Sequence, residues 1–249
     1  MTVTSTDRSF PQLFNGLLAL SIAIVMAAFI GGKAIQDVKK ANDVLTVTGS
    51  AKRTISADYI TWRLSVASNK PTLQQAYQEV QEHTARIKSY LEEKQIPESE
   101  ITLKSLESYP VKEILPNGSQ SDKTIGYVMT QRFEVSSKEV DRIDKLSRQA
   151  TELINEGIPL ESSTPEYIYT QLNKLRIEMI AEATKDAKAR AEAIANNTDS
   201  QVGSIRSAKT GVFQITPKYS TEVSDQGVYD TTTLEKDITA VVSVDFGME

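Results

Sequence analysis

The segment VLTVTGSAKRTISADYITWRLSVAS (Val44–Ser68) brings a glycine, a serine and a lysine close together, as a phosphate-binding loop does. Such a loop follows the pattern GxxxxGK[ST], because its glycines let backbone N–H groups converge on phosphate and its lysine reaches the phosphate oxygens. Here Gly49 is the single glycine before Lys52, and the chain continues as a predicted strand rather than a helix. The segment therefore favours a structural role, in which Gly49 allows a bulge or bend and Lys52 and Arg53 face solvent.

Few other groups could act chemically. His83 is the single histidine and there is no cysteine, which excludes disulfides, cysteine nucleophiles, thiolate zinc sites and a lipoprotein anchor. A catalytic triad that uses histidine would need His83, which lies in the middle of a predicted helix beside its apolar stripe. We interpret it as a partly exposed structural residue.

Carboxylates would have to form any metal site, and carboxylates suit calcium or magnesium. The acidic segment EVSDQGVYD (Glu222–Asp230) lacks EF-hand spacing and favours a solvated loop. None of the 33 acidic residues lies in an apolar setting that would mark a raised pKa. We expect no catalytic, cofactor-binding or metal-binding residue, and we expect that the protein is not an enzyme.

The composition is that of a folded protein with an acidic surface. Hydrophobic residues make up 39% and charged residues 24% of the chain, which argues against disorder. The formal net charge of −5 does not supply the basic field that draws proteins to a phosphate backbone. Nucleic acid is therefore not an expected partner.

Residues 13–35 are predicted to be a transmembrane anchor or an uncleaved signal. Leu13–Ile30 contains eighteen uncharged residues, and a helix of that length spans roughly 27 Å, close to the thickness of a hydrocarbon core. The alternatives are a signal cleaved near Gly31–Ala34, although FIGGKAIQ matches a cleavage site poorly, and a buried helix. We expect a tail at 1–12, a connector at 36–43 and a folded domain at 44–249.

The charges that flank this segment oppose export of the domain. Arg8 precedes the apolar segment, whereas Lys33, Lys39 and Lys40 follow it. Read literally, the positive-inside rule would place the domain in the cytoplasm. Three lysines do not reliably hold back a large C-terminal domain.

The domain alternates between predicted strands and helices. In chain order these are a strand from Ile55 with Ile60, Trp62, Leu64 and Val66 on one face, a helix from Pro71 to Lys94, a hairpin of Ile101–Val111 and Ile125–Val135, a helix from an N-cap at Ser137 to Gly157, a short strand at Glu166–Tyr169, a helix at Gln171–Asn196, a strand at Ser204–Ile215 and a last strand around Ile238–Phe246.

The order β-α-β-β-α-β-α-β-β predicts an α+β fold of mainly antiparallel sheets packed by helices. Hairpins between the helices make a doubly wound parallel sheet improbable. The loop Pro217–Thr233 is long for a hairpin, and long loops inside domains are often functional. We favour a subunit contact there over a ligand site.

Five segments together resemble the SIMPL-domain family, which includes periplasmic and outer-surface immunogenic proteins of Gram-negative bacteria. They span about Val44–Phe246 and are LTVTGSAKRTISADYITWRLSV, the helix Leu73–Leu91, GYVMTQRFEV (Gly126–Val135), AKARAEAIANNTDSQVGSI (Ala187–Ile205) and ITAVVSVDF. The resemblance implies an exported α+β domain, large ring-like homo-oligomers and no established catalytic residues. It also implies an association with envelope or oxidative stress.

We therefore expect a single-pass protein of the bacterial inner membrane with its C-terminal domain in the periplasm or outside. Its leading function is a non-enzymatic, homo-oligomeric assembly held at the membrane by the N-terminal helix. The alternatives are a periplasmic module that binds a peptide or small molecule or acts like a chaperone, and a hydrolase that uses carboxylates or His83. The identity of any ligand and the number of subunits stay open.

Overall fold

A computed structural model describes the backbone of residues 10–41 and 43–248. Residues 1–9 of the expected tail, residue 42 of the expected connector and residue 249 lie outside the described residues. The helices are α1 (Phe10–Ala41), α2 (Leu73–Glu93), α3 (Val140–Gln149), α4 (Glu152–Asn155) and α5 (Leu172–Asn196), with a 3₁₀ turn at Glu98–Glu100. The strands are β1 (Val44–Ser56), β2 (Tyr59–Lys70), β3 (Ile101–Leu103), β4 (Glu107–Ile114), β5 (Gln120–Ser137), β6 (Leu160–Ser162), β7 (Glu166–Ile168), β8 (Val202–Thr210), β9 (Gln214–Pro217), β10 (Val228–Tyr229) and β11 (Glu235–Met248).

Helix α1 contains a segment that is long and apolar enough to cross a membrane. Its window Phe14–Lys33 has a mean hydropathy of 2.2 and none of it is buried. A core helix would be covered by other parts of the chain, so the buried-helix alternative does not fit. A membrane anchor and a signal sequence both fit. The helix continues through most of the expected connector, to Ala41.

The described chain divides into two compact units. Unit 1 comprises residues 1–51, 180–211 and 240–249, and unit 2 comprises residues 52–179 and 212–239. Both combine helices with antiparallel strand pairs, which confirms the predicted α+β class.

Unit 2 is built on a six-stranded antiparallel sheet. Its order is β3-β5-β2-β6, with β4 also paired to β5 and β7 to β2. The long pair β2–β5 runs from Ile60 opposite Ser137 to Lys70 opposite Tyr127. The predicted inward face of β2 is confirmed, since its four apolar side chains are all at most 2% exposed: Ile60, Trp62, Leu64 and Val66.

Helix α2 packs on this sheet through the predicted stripe. Thr72 is its N-cap, and the Thr72 hydroxyl accepts a hydrogen bond from the N–H of Gln75 at 3.3 Å. Of the seven residues of the stripe, Leu73 and Tyr77 are about half exposed, and the other five are buried: Ala76, Val80, Thr84, Ile87 and Leu91.

The hairpin β4–β5 is confirmed, and two neighbouring predictions need correction. The first predicted hairpin strand is divided into β3 and β4, because Gln131 turns inward and donates to the backbone oxygen of Lys104 at 2.6 Å. The second helix does not begin at Ser137, which is the last residue of β5 and accepts from the N–H of Glu139. Glu139 is the N-cap instead.

In unit 1, the second part of α5 packs against β1 through small residues. Gly49 is buried in a strand whose burial alternates without interruption, so the predicted bulge is wrong. A β-carbon at Gly49 would collide with the backbone of Ala183 and Ala187 and lie 2.7 Å from the Ala187 β-carbon. Glycine is present there because the helix backbone comes so close. Strand β11 is hydrogen-bonded to β1 and, antiparallel, to β8.

The predicted strand Ser204–Ile215 is divided between the two units. Strand β8 belongs to unit 1, whereas β9 belongs to unit 2, where it pairs antiparallel with the first residues of β11 and parallel with β10. The predicted alternation of β11 is confirmed for its apolar residues, which are all buried: Ile238, Ala240, Val242, Val244 and Phe246.

Candidate functional site: the 217–233 loop and its buried polar base

The candidate site is the loop of residues 217–233, which joins β9 to β11 and contains β10. We call it the 217–233 loop. It combines a strained backbone position, two buried carboxylates at its base and a row of exposed apolar side chains. All of these residues belong to unit 2.

Asp237 on β11 anchors the first part of the loop. Its side chain is 4% exposed and lies 2.9 Å from Lys52 Nζ. The same carboxylate accepts hydrogen bonds from the Thr54 hydroxyl at 2.7 Å and from the N–H of Tyr219 at 3.3 Å. Burial acts to raise the pKa of Asp237, but these donors outweigh burial and lower it. The carboxylate is therefore ionised at neutral pH.

Tyr219 is held in a backbone conformation that bulky residues avoid. Its φ is +66°, which places it in the left-handed region, where a β-carbon crowds the following carbonyl. Tyr219 is 83% exposed, and its ring contacts the Lys218 ammonium, 5.4 Å from the ring centre, so little of the side chain is packed. Residues in this state persist when neighbouring contacts hold them there, and they are common at functional sites.

Asp230 and Lys236 anchor the last part of the loop. Asp230 accepts hydrogen bonds from the backbone and hydroxyl groups of Thr232 and Thr233, which fold the chain into a tight turn. Lys236 Nζ lies 3.5 Å from an Asp230 carboxylate oxygen and donates to the main-chain oxygens of Asp230 (2.7 Å) and Tyr167 (2.9 Å). The side chain of Asp230 is 6% exposed and that of Lys236 is 2% exposed.

The surroundings of this buried pair lower the pKa of both Asp230 and Lys236. Burial opposes ionisation of Asp230, yet its hydrogen bonds to the two threonines and the charge of Lys236 lower its pKa to about 2. Burial lowers the pKa of Lys236, and Asp230 counteracts only part of that effect. A lysine with a lowered pKa can act as a nucleophile, but this one is enclosed and its donors are engaged, so its role is structural.

Two further contacts hold the middle of the loop. Gln214 donates from its side-chain amide to the backbone oxygen of Ser224 at 2.7 Å and accepts from the Ser224 N–H at 3.4 Å. Gly227 has a φ of +86°, and a β-carbon there would lie 2.9 Å from the Phe213 oxygen. The loop is therefore fixed at its base and at its middle.

The outer surface of the loop is apolar and acidic. Tyr219, Val223 and Tyr229 are 83%, 76% and 49% exposed. Glu222 and Asp225 lie between them, exposed. Tyrosine is enriched at the centres of protein interfaces, where it buries a large area with little loss of side-chain freedom. The outer surface of the loop thus combines exposed aromatic and aliphatic side chains with two exposed carboxylates.

The structure places the residues that the sequence singled out as follows. Lys52 belongs to the loop base through Asp237, and Arg53 pairs with Glu178 at 2.8 Å, so both are engaged rather than simply solvated. His83 is half-buried on α2. Across the described residues, the His83 ring makes no hydrogen bond with a nucleophile.

The acidic segment Glu222–Asp230 does not converge on one point. Asp230 is committed to the loop base, whereas Glu222 and Asp225 are exposed. Among the described residues there is no group of three histidine or carboxylate side chains placed to hold a metal ion. The segment is part of a structured loop, so the prediction of a simply solvated loop holds only for its tip.

A separate cleft in unit 2 could accept a small ligand. It has a volume of about 490 Å³ and is wide open to solvent. Its lining mixes both signs of charge: Asp58, Lys138, Glu139, Asp141 and Arg142, with Ser56, Ala57, Val140 and Leu234. The Asp58 carboxylate is already engaged, by the N–H and hydroxyl of Thr170.

Sequence reasoning missed Lys236 and Asp237 as the base of the loop. The alternation of the last strand placed Asp237 on its outward face, yet Asp237 is 3% and Lys236 1% exposed. The available signal was their adjacency, since two neighbouring charges in a strand cannot both follow an alternation of buried and exposed positions.

The fold is an α+β domain with an N-terminal apolar helix, and the candidate site is a loop fixed at its base by buried charged side chains. The chain belongs to the SIMPL family, described as "Protein of unknown function (DUF541)", whose model matches residues 45–246. The resemblance stated from the sequence is thereby confirmed. No curated protein matches the chain.

Proposed function

We propose that this protein is a non-enzymatic, single-pass protein of the bacterial inner membrane whose SIMPL domain, in the periplasm or outside, forms a ring-like homo-oligomer. The observation that carries the proposal is the 217–233 loop. It is fixed by buried charges and strained at Tyr219, yet it presents Tyr219, Val223 and Tyr229 to solvent. A fixed apolar surface binds without first losing conformational freedom.

The N-terminal helix supports the same proposal. Phe14–Lys33 is unburied and has the length and hydropathy of a span. Several anchors held in one assembly bind a membrane far more tightly than one anchor does, because each later insertion is intramolecular. Export of the domain and a link to envelope or oxidative stress rest on the family resemblance.

The mass of the detergent-solubilised full-length protein, measured by light scattering with the detergent contribution subtracted, tests the proposal. We expect one uniform mass equal to several protomers. Replacing Tyr219, Val223 and Tyr229 together by serine should reduce it, whereas Tyr109→Ser, at another exposed tyrosine, should not. A wild-type monomer at every protein concentration would refute assembly. Protease accessibility in intact spheroplasts tests the side of the membrane.

A ligand-binding module is the second candidate, and the cleft of about 490 Å³ favours it. Its charged lining suits a small polar molecule or a peptide rather than an apolar ligand. Saturable binding by a monomeric wild-type protein, abolished by Arg142→Ala, would place this function ahead of assembly.

A further inference from the structure

Strand β8 in unit 1 is a second surface with no cover among the described residues. Not one of its nine residues is buried, and residues 204–210 are all exposed. An edge strand normally buries every second side chain against the core. In β8 the exposed residues include two that pair with buried residues of β11. Ile205 lies opposite Phe246, and Ala208 lies opposite Val244.

The charge on β8 is entirely positive. Arg206 and Lys209 are its charged residues, and both are exposed. Within the described part of the chain neither side chain makes an ion pair. On the neighbouring strand, Asp245 lies opposite Ser207 and accepts hydrogen bonds from the hydroxyls of Ser207 (2.6 Å) and Thr46 (2.7 Å). Ile205, 52% exposed, lies beside Arg206. The strand thus presents an apolar side chain and two cations, beside the Asp245 carboxylate of β11.

The 217–233 loop is the complementary surface. Its charged residues at the tip are Glu222 and Asp225, which are exposed and form no ion pair with any described residue. Its one cation, Lys218, is already paired with Glu235 at 2.9 Å. The tip therefore presents two negative charges beside Val223 and Tyr229.

We propose that the 217–233 loop of one copy docks on β8 of a second copy, with Glu222 and Asp225 facing Arg206 and Lys209. This inference rests on the proposed homo-oligomer and names its contact. Two loops brought together would set carboxylate against carboxylate, and two β8 strands would set cation against cation. Only the contact between unlike surfaces is attractive, because like charges placed opposite each other cost several kcal/mol.

The contact has a consequence for symmetry. An interface between two different patches of the same chain is heterologous, and repeating it closes into a ring when the rotation allows. The tyrosines and Val223 supply apolar area, and the charges select the partner surface. Exposed charges are screened at about 1 M salt, where the Debye length is about 3 Å, so assembly should weaken steeply with salt.

The test is a charge exchange in the full-length, detergent-solubilised protein. Arg206→Glu with Lys209→Glu should lower the mass to that of a monomer, and so should Glu222→Lys with Asp225→Lys. The variant that carries all four changes restores the complementarity and should regain the wild-type mass. The matched control, Lys88→Glu with Lys145→Glu at two exposed lysines, should leave the mass unchanged.

The outcomes separate this contact from the proposed function. A wild-type monomer would refute assembly itself. A uniform wild-type oligomer that keeps its mass in both two-residue variants would overturn this contact while leaving assembly intact. Fluorescence of the single, buried Trp62 reports whether each variant is folded, and recovery in the four-residue variant is not expected from misfolded chains.

Discussion

Replacing Asp230 by asparagine should destabilise unit 2 in a way that depends on pH. The Asp230 carboxylate carries the hydrogen bonds of Thr232 and Thr233 and lies 3.5 Å from Lys236 Nζ, with both charged side chains almost fully enclosed. Asparagine keeps the size of the side chain and part of its hydrogen bonding but removes the charge. Lys236 is then left as a buried ammonium without a counter-charge.

The magnitude follows from the pKa of Asp230 and from the lysine that remains. The pKa falls from 3.8 to about 2, and each unit corresponds to about 1.4 kcal/mol, so ionisation of Asp230 stabilises the folded state by roughly 2 kcal/mol. Removing one partner of a buried ion pair costs about 3–5 kcal/mol, because the other charge stays buried. We expect Asp230→Asn to lose about 3 kcal/mol or more at pH 7.

The sign of the pH dependence is set by the lowered pKa of Asp230. Because the folded pKa lies below the unfolded one, the stabilisation is complete above about pH 5 and is lost as the pH falls from about 4 to about 2. The wild-type protein should therefore lose roughly 2 kcal/mol from this residue over that interval. Asp230→Asn should lack this part of the acid transition.

Urea unfolding of the full-length protein, followed by Trp62 fluorescence at pH 7 and at steps down to about pH 2, measures both effects. Asp122→Asn is the matched control, since that side chain is exposed and has no ion pair in the described structure. Adding Lys236→Met to Asp230→Asn should recover part of the loss by removing the unpaired charge. A loss under about 1 kcal/mol with an unchanged acid transition would refute this account of the pair.

Two further substitutions test the packing of the helices. Gly49→Ala should cost about 3 kcal/mol or more of stability, because the new β-carbon meets the helix backbone at Ala187. The control Gly211→Ala, where a β-carbon would lie 3.4 Å from its nearest neighbour, should change stability by under about 1 kcal/mol. Equal effects of the two substitutions in urea unfolding would contradict the close approach of α5 to Gly49. Thr72→Ala should cost about 1 kcal/mol, since the cap on the N–H of Gln75 is lost, and Thr72→Ser should restore most of it in the same assay.

Periodicity predicted the elements that are long and covered on one face. Strand β2 and helix α2 show this, because the alternation from Ile60 and the three- and four-residue spacing from Ala76 each continue over several turns or pairs. The closing strand β11 also followed from its alternation. Together with the hairpin, these elements are sufficient to predict the α+β class.

The elements that the sequence did not predict correctly depend on pairing partners that are remote in sequence. Strand β6 has three residues and exists because Leu160–Ser162 pairs with β2 and Ser162 accepts from the Trp62 indole at 2.9 Å. Ser137 has the chemistry of an N-cap, but pairing with Ile60 extends β5 over it. No local pattern contains that information.

Only part of the candidate site could be predicted from the sequence, because its base also depends on partners that are remote in sequence. The length of the loop marked it as a candidate for function, and its acidic tip was visible in the sequence. Its base was not, because Asp237 is held by Lys52 and Lys236 reaches the backbone of Tyr167, each far away along the chain. Buried charges require such partners, so single-sequence alternation assigns them to the surface.

The strain at Tyr219 provides a last prediction that separates folding from assembly. Glycine adopts positive φ freely, so Tyr219→Gly should remove about 1–2 kcal/mol of backbone strain, against roughly 0.5–1 kcal/mol of added chain entropy in the unfolded state. We expect the free energy of unfolding to stay level or to rise slightly. Tyr109→Gly, at an exposed tyrosine whose φ is not positive, should lose about 1 kcal/mol.

The same substitution should weaken the proposed assembly, because it removes the most exposed aromatic side chain of the 217–233 loop. If the variant is as stable as wild type but has a lower mass by light scattering, the strained conformation of Tyr219 serves the contact between subunits rather than folding. Equal destabilisation by Tyr219→Gly and Tyr109→Gly would contradict the strain at Tyr219. An unchanged mass would show that Tyr219 does not contribute to the contact, and its strained backbone would then have no role in binding.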